Sequence, residues 1–220
     1  MMDRKFILWG ATGQAKVIAD IIYDYGGTVS KVFDNKNIVS PLKNVDIGYG
    51  LKDFDDWLKT IKTPQDYSAI AAIGGTFGFD RFEFYKMFCA KKLVTPSIFH
   101  RTSFVSQSAN LGQNVQILAF AFVGVDVTIG DASIVNTRAS VDHESKLGNG
   151  VHIAPNATLC GCVEIGNFSM IGASSVVLPR IKIGSNTIIG AGSVVTKNIP
   201  DNVIAYGNPA KIIRGQKIVR

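Results

Sequence analysis

The chain has 220 residues, which is enough for two compact domains of about 100 residues each. Its net charge is +6. The sequence shows no pattern of arginines interleaved with aromatic residues, which argues against nucleic-acid binding. No apolar run of about 18 residues occurs, so a membrane-spanning helix is excluded, and the short apolar stretch near the N-terminus does not fit a signal peptide. The three cysteines indicate a reducing compartment rather than a disulfide framework, and we expect a cytoplasmic protein.

Residues 1–98 are predicted to form a small parallel α/β domain. In chain order, the predicted strands are 6–9, 28–33 and 69–73, and the predicted helices are 16–22 and 79–91. Strands that alternate with helices are typical of a parallel sheet covered by helices.

A glycine-containing loop, Gly10-Ala11-Thr12-Gly13-Gln14-Ala15, follows the first predicted strand and opens a helix. A loop of this kind can cradle a phosphate at the helix N-terminus. Asp34 ends the second strand, where dinucleotide-binding folds hold a ribose hydroxyl. The spacing is G-x-x-G-x-A rather than G-x-G-x-x-G, so a tight turn that only packs the helix on the sheet is an equal alternative.

A strict six-residue repeat dominates the second half of the chain. From Leu111 to Val195 every sixth residue is Leu, Ile or Val, through fifteen consecutive hexads, and Val105 adds one more at the start. The next position is Gly in eight hexads, which we interpret as supplying the backbone angles of a tight corner. The fourth position after the aliphatic residue is small or branched and is expected to point inward. This pattern predicts a solenoid of short parallel strands whose coils stack to bury their apolar faces.

The repeat resembles that of the hexapeptide-repeat, left-handed β-helix acyltransferases. The resemblance implies three hexads, or about 18 residues, per triangular coil, with a left-handed crossover that departs from the usual right-handed rule. The sequence Tyr206-Gly207-Asn208-Pro209-Ala210-Lys211 resembles the segment that closes such helices.

The chain has three histidines, and His143 is the best candidate for catalysis because it stands between Asp142 and Glu144. A neighbouring carboxylate orients an imidazole and raises its basicity. With coils of about 18 residues spaced about 4.8 Å apart, Gly161 occupies the equivalent position one coil further. Acyl transfer needs at least a base, which takes a proton, and a hydrogen-bond donor, which stabilises an oxyanion. His143 and the Gly161 N–H are the candidates for these two roles. An ordinary surface histidine is the alternative.

The segment from Asn136 to Glu144, followed by Val151-His152-Ile153-Ala154-Pro155 and Leu159-Cys160-Gly161, resembles the signature of the NeuD/PglD family of sugar O- and N-acyltransferases. The resemblance implies a Rossmann-like nucleotide-sugar-binding domain over residues 1–98 and a left-handed parallel β-helix over residues 99–220. It also implies a homotrimer whose active sites lie at subunit interfaces.

The resemblance further assigns roles to individual residues. It makes His143 the general base and Glu144 the acid that tunes it, while Gly161 offers its N–H to the thioester oxygen. The residues expected to contact acetyl-CoA are His152, Gly161, Ala173 and Ala191. The residues expected to hold the nucleotide sugar are Thr12, Gly13, Gln14, Asp34, Asn35 and Gly74. Gln14 departs from the family, which commonly has His at that position.

The resemblance therefore implies an acetyl-CoA-dependent, metal-free N-acetyltransferase. Its expected substrate is the 4-amino group of a nucleotide-linked 4-amino-4,6-dideoxy sugar, UDP-linked, for bacterial glycan biosynthesis. The alternatives within the family are O-acetylation of sialic acid or another hydroxyl sugar and N-acetylation of GDP-perosamine. Two alternatives outside it are a γ-type carbonic anhydrase, although only His143 and His152 lie inside the repeat, and a non-enzymatic assembly module.

Three surface features complete the sequence interpretation. Apolar residues expected on the outer faces of the solenoid, and hence in a subunit interface, are Phe120, Phe122, Phe168 and Met170. Basic residues near the C-terminus that suit an anionic ligand are Lys211, Arg214, Lys217 and Arg220. Cys160-Gly161-Cys162 is interpreted as small residues packed on the solenoid rather than as a metal motif.

Overall fold

The computed structural model describes residues 4–216, which divide into two compact units. The first unit comprises the residues up to Ile73 together with Asp80–Pro96. The second comprises Gly74–Phe79 and the residues from Ser97 onward. The short segment Gly74–Phe79 is therefore part of the second unit, although it lies between two parts of the first in sequence.

The first unit is built on a four-stranded parallel sheet with the strand order β3-β2-β1-β4. The elements in chain order are β1 (Lys5–Trp9), α1 (Gly13–Asp24), β2 (Thr28–Asp34), β3 (Ile47–Tyr49), α2 (Gly50–Thr60), a short 3-10 helix (Pro64–Asp66), β4 (Tyr67–Ala71) and α3 (Gly78–Ala90). The three predicted strands and two predicted helices are confirmed, with ends shifted by up to three residues. Sequence analysis missed β3 and α2. Every helix within residues 4–216 is too short or too polar to span a bilayer.

The direction in which successive strands are added to the sheet reverses at β1. The chain places β2 and β3 on one side of β1 and then returns to place β4 on the other side. Gly10 follows β1 with a φ of 106°, and a Cβ there would collide with the carbonyl oxygen of Ala72. The residue must therefore be glycine. In open α/β sheets, ligands bind at the carboxyl ends of the strands at such a switch point.

The second unit is a parallel β-helix whose two-residue strands recur every six residues. These strands are β5 (Ile98–Phe99), β6 (Phe104–Val105), β7 (Asn110–Leu111), β8 (Gln116–Ile117), β9 (Phe122–Val123), β10 (Thr128–Ile129), β11 (Ile134–Val135), β12 (Ser140–Val141), β13 (Lys146–Leu147), β14 (His152–Ile153), β15 (Thr158–Leu159), β16 (Glu164–Ile165), β17 (Met170–Ile171), β18 (Val176–Val177), β19 (Lys182–Ile183), β20 (Ile188–Ile189) and β21 (Val194–Val195). They form three parallel sheets of five, eight and six strands, the eight-stranded sheet including the closing hairpin.

Successive coils stack with a spacing of 18 residues, which confirms the predicted coil length. Ser140, for example, pairs with Thr158, and Val141 pairs with Leu159. The aliphatic residues of the repeat from Ile117 to Val195 are at most 4% exposed and form one continuous core. The predicted inward position four residues later is also buried, and where it is serine the hydroxyl finds a partner: Ser133 donates to the carbonyl of Gly148 at 3.0 Å.

The prediction that the glycines of the repeat supply unusual backbone angles is wrong. In the β-helix, positive φ angles recur at every sixth residue from Asn114 to Gly192, two residues after the glycine position, and mostly at non-glycine residues such as Cys162. The glycines are needed because the next coil is close: a Cβ on Gly130 would lie 2.6 Å from the carbonyl carbon of Gly148. Steric exclusion between coils, rather than conformational freedom, selects glycine here.

A hairpin closes the β-helix, as the sequence resemblance implies. Strand β22 (Val203–Gly207) extends the eight-stranded sheet by pairing in parallel with β20, and β23 (Ala210–Gly215) returns antiparallel to it. Lys211 and Arg214 are exposed on β23. Lys217 and Arg220, the other two residues of the predicted basic cluster, lie outside the described residues.

Candidate active site

His143 lies on the corner between β12 and β13, and its imidazole is paired with Glu144. The His143 Nδ1 atom is 3.0 Å from Glu144 Oε2. The other neighbouring acid, Asp142, instead accepts a hydrogen bond from the His143 backbone N–H at 2.8 Å. Glu144 occupies the left-handed corner position, with a φ of 57°, and this turn lets two side chains adjacent in sequence meet. Of the two flanking acids, Glu144 is therefore the one that orients the imidazole.

The electrostatics of this pair fix which imidazole nitrogen is basic. The pKa of Glu144 is lowered from its usual value, first by the hydrogen bond from His143, then by one from Cys162, with a smaller contribution from the charge of Arg180. An ionised carboxylate can only accept hydrogen bonds, so in neutral His143 the proton resides on Nδ1. The lone pair is then on Nε2. The side chains of His143 and Glu144 are 52% and 62% exposed, so a substrate can reach them.

Gly161 lies one coil further on, directly against the imidazole. A Cβ at this position would collide with Nε2 and Cε1 of His143. The coils are held together here by the Cys162 N–H, which donates to the His143 carbonyl at 2.8 Å. Gly161 is buried, and its own N–H has no hydrogen-bond partner among residues 4–216. Buried N–H groups normally have a partner, so this donor is available to an oxygen of a bound substrate.

His152 is almost fully buried, and both of its ring nitrogens are engaged. Nδ1 is 3.0 Å from the Gly75 carbonyl oxygen, and Nε2 is 3.0 Å from Asn136 Nδ2. Since a carbonyl only accepts, Nδ1 carries the proton and Nε2 accepts from the Asn136 amide. That amide is itself oriented by the Thr137 N–H, which donates to its oxygen at 2.7 Å. His152 thus fixes the Gly74–Phe79 segment to the β-helix, and its contact with acetyl-CoA stays a prediction.

Ala173 and Ala191 lie on a different corner of the β-helix from His143. They follow strands β17 and β20 of the eight-stranded sheet, one coil apart, and the Gly192 N–H donates to the Ala173 carbonyl at 2.8 Å. Ala191 is exposed and Ala173 is half-buried. Their small side chains leave the backbone of this corner accessible, but within one chain they are not brought together with His143.

The predicted nucleotide-binding residues of the first unit meet at the end of the sheet. The carboxylate of Asp34 accepts hydrogen bonds from the Ala11 N–H at 2.7 Å and the Lys36 N–H at 2.8 Å. Asp34 therefore shapes the loop that precedes α1, and a carboxylate has further lone pairs for a ligand. A Cβ on Gly13 would meet no atom within 4 Å, so the start of α1 is open.

The other predicted acceptor-site residues differ in exposure and location. Thr12 and Asn35 are exposed, whereas Gln14 is half-buried. Gly74 is half-buried and belongs to the Gly74–Phe79 segment of the second unit.

Sequence analysis missed Cys162 as a member of the site. Cys162 lies one coil above Glu144, and its thiol donates to Glu144 Oε2 at 3.7 Å. The donor atoms of His143, Glu144 and Cys162 all lie within 4.8 Å of one another, close enough to bind one metal ion. The 18-residue register is the signal that reveals this contact, since it stacks Cys162 on Glu144 as it stacks Gly161 on His143. All three cysteines of the chain are free thiols.

The exposed apolar surface differs in part from the predicted one. Phe120 and Phe122 are 60% and 40% exposed, as expected. Phe122 stacks on Phe104, with ring centroids 5.2 Å apart, so Phe104 belongs to the same surface. Phe168 and Met170 are half-buried, and Phe168 packs edge-on against Phe79 at 5.4 Å.

Comparison with known proteins identifies relatives of both units together. Residues 144–178 and 162–197 match the family described as bacterial transferase hexapeptide (six repeats). PerB from Caulobacter crescentus, solved in complex with CoA and GDP-perosamine, is 31% identical, with a TM-score of 0.84 over 96% of this chain and 97% of that chain. The acetyltransferase domain of PglB from Neisseria gonorrhoeae, solved in complex with acetyl coenzyme A, is 29% identical, with a TM-score of 0.84 over 96% and 100% of the two chains.

A more distant protein shares the fold. WeeI from Acinetobacter baumannii is 19% identical, with a TM-score of 0.83 over 97% of this chain and 100% of that chain. The sequence has no significant match among curated proteins.

Proposed function

Because the chain belongs to the family of hexapeptide-repeat acetyltransferases of nucleotide-linked amino sugars, we propose that it transfers an acetyl group from acetyl-CoA to the amino group of such a sugar. In this family a small Rossmann-like domain joins a left-handed β-helix. The donor is supported by the CoA and acetyl coenzyme A bound to the two relatives. The acceptor class is supported by the GDP-perosamine in the Caulobacter complex.

The observation that carries the proposal is the placement of His143 against Gly161. A basic nitrogen, Nε2, lies beside a buried glycine whose N–H has no partner among the described residues. Acyl transfer to an amine needs a proton acceptor for the nucleophile and a hydrogen-bond donor for the oxyanion. The pair supplies both.

In the proposed reaction, the sugar amine attacks the thioester carbonyl and a carbon–nitrogen bond forms. His143 Nε2 takes the proton that the amine loses, while Glu144 holds the resulting imidazolium through Nδ1. The Gly161 N–H donates to the oxyanion of the tetrahedral intermediate. The carbon–sulfur bond then breaks, and the CoA thiolate leaves and receives the proton from His143.

The proposed acceptor is the 4-amino group of a 4-amino-4,6-dideoxy sugar linked to a nucleotide. The Gly10–Gln14 loop and Asp34 are proposed to bind the nucleotide, since a carboxylate and an open helix N-terminus match a ribose hydroxyl and a phosphate. UDP is our proposal for the nucleotide. GDP is the second candidate because the Caulobacter relative was solved with GDP-perosamine.

We also propose that the protein works as a homotrimer in the cytoplasm, with each active site at a subunit interface. The stacked and exposed rings of Phe104 and Phe122 favour a buried partner surface on this face of the β-helix. Light scattering at micromolar concentration tests the assembly, and a monomer would contradict it.

A thiol-release assay tests the function. The protein is given acetyl-CoA with UDP- and GDP-linked 4-amino-4,6-dideoxy sugars, with the matching hydroxyl sugars as controls. We expect CoA release with at least one amino sugar and none above background with its hydroxyl counterpart. Release with hydroxyl sugars alone would replace the proposal by O-acetylation, and no release with any sugar would reject it.

A further inference from the structure

We propose that His143, Glu144 and Cys162 form a binding site for a zinc ion, and that zinc at this site switches off the general base. The metal is an inhibitor here and not a cofactor, since the reaction above needs none. The inhibitory consequence rests on the proposed function, whereas the binding site itself does not.

The distances between the three donor atoms suit a zinc ion. His143 Nδ1 is 3.0 Å from Glu144 Oε2, and Cys162 Sγ is 3.7 Å from the same oxygen. In a tetrahedral site with bonds of about 2.0–2.3 Å, ligand atoms lie roughly 3.3–3.8 Å apart. The first distance lies just below this range and the second within it, and the ligand atoms of His143 and Cys162 lie within 4.8 Å of each other. Small side-chain rotations therefore bring the three atoms onto one face of a tetrahedron and leave the fourth position to water.

The rigidity of the corner favours a preformed site. Cys162 stands one coil above Glu144, and the Cys162 N–H donates to the His143 carbonyl at 2.8 Å. All three residues are thus fixed by the stacking of adjacent coils rather than by a loose loop. Both His143 and Glu144 are more than half exposed, so an ion can reach the donors from solvent.

The chemistry of the donors selects the metal. A thiolate, an imidazole nitrogen and a carboxylate are the ligands of zinc sites, whereas magnesium and calcium require oxygen ligands. Zinc binding displaces the thiol proton of Cys162 to solvent. Cys160 lies outside this cluster, and its interpretation as a packing residue stays a prediction.

Bound zinc changes the tautomer of His143 and thereby removes the basic nitrogen that the reaction uses. Neutral imidazole has one nitrogen with a free lone pair, and in the metal-free site this is Nε2 because Nδ1 donates to Glu144. A zinc ion on Nδ1 takes up that nitrogen's lone pair, so the ring proton must move to Nε2. Nε2 can then no longer accept the proton of the attacking amine.

Cobalt(II), which replaces zinc in such sites, gives the direct test. Titration of the full-length protein with cobalt should produce a thiolate-to-cobalt charge-transfer absorption that saturates at about one ion per chain. Cys162→Ser should abolish this absorption and weaken zinc binding, measured by competition, by at least about 100-fold. Cys160→Ser, the matched control two residues away, should change neither. Glu144→Gln, which keeps the side-chain volume, should weaken zinc binding without removing the thiolate absorption.

Activity measurements complete the test. Zinc should inhibit acetyl transfer by the wild type and by Cys160→Ser at the concentration at which it binds, and Cys162→Ser should be much less sensitive. Absence of the charge-transfer absorption in the wild type, or its survival in Cys162→Ser, would overturn the proposal. If no sugar is acetylated but the absorption depends on Cys162, the proposed function is wrong and the zinc site stands.

Discussion

The imidazole of His143 lies against the Cα of Gly161, its counterpart one coil further along the β-helix. Any side chain at Gly161 would occupy the space of the ring. Gly161→Ala should therefore displace the imidazole and the N–H donor together and lower kcat by at least about 100-fold, the cost of losing one oxyanion donor or the general base.

The control for this variant is Gly215→Ala in β23. A Cβ there would meet only the Asn202 carbonyl oxygen, at an ordinary 3.9 Å. Steady-state kinetics of both variants measure the effect. Full activity in Gly161→Ala would show that the close contact has no role in the reaction.

The carboxyl of Glu144 should titrate below the ordinary glutamate range. Its pKa is lowered first by the hydrogen bond from His143 and then by the one from Cys162. A depressed pKa means that this pairing favours the folded state above the unfolded pKa of about 4.3 and is lost as the pH falls through the lower folded value. The His143–Glu144 pair is therefore intact throughout the neutral range.

Carbon-13 NMR of the Glu144 carboxyl measures this pKa directly. His143→Ala should raise it toward the ordinary value by more than Cys162→Ala does, following the order of the two causes. An equal or larger rise in Cys162→Ala would mean that the thiol, rather than the imidazole, is the main partner of the carboxylate.

His152 should matter more for stability than for acetyl-CoA binding. His152→Ala leaves the Gly75 carbonyl and the Asn136 amide without their partner, which should cost about 1–3 kcal/mol of unfolding free energy. Denaturant unfolding measures this, with His100→Ala as the control. A large rise in KM for acetyl-CoA with unchanged stability would instead favour the cofactor contact that the sequence predicts.

Substitution of Asp34 should change KM for the nucleotide sugar and leave KM for acetyl-CoA unchanged. Asp34→Ala removes an acceptor from the proposed nucleotide site and should raise KM for the nucleotide sugar by about 10-fold or more, the effect expected when a hydrogen bond involving a charge is lost. Asp34→Asn should do less, because its amide oxygen can still accept from Ala11 or Lys36. A change confined to KM for acetyl-CoA would contradict the assignment of this loop to the acceptor.

The β-helix could be predicted almost residue by residue because its period is constant. Each aliphatic residue from Leu111 to Val195 falls on the second position of a strand, since no insertion disturbs the register. The same register places Gly161 beside His143. It also places Cys162 in contact with Glu144, although the sequence analysis did not predict this contact from the register.

Other features could not be predicted because their causes lie outside the local sequence. The partner of His152 is Gly75, 77 residues away, and no spacing rule connects them. Strand β3 is three residues long and contains Gly48, so it has no strong apolar period. Helix α2 is different: Phe54, Trp57 and Leu58 give it an apolar face at helical spacing, which the sequence analysis did not use. The role of Gly130 was misread because a sequence does not reveal whether glycine serves an unusual φ or a close neighbour.

The most direct test of the account is the kinetics of His143→Ala with acetyl-CoA and a nucleotide-linked 4-amino-4,6-dideoxy sugar. If Nε2 of His143 is the proton acceptor, kcat should fall by roughly 10²–10⁴-fold, the usual contribution of a general base. The affinity for acetyl-CoA should hardly change. Near-wild-type kcat in His143→Ala would contradict the central claim that this histidine, beside Gly161, carries the reaction.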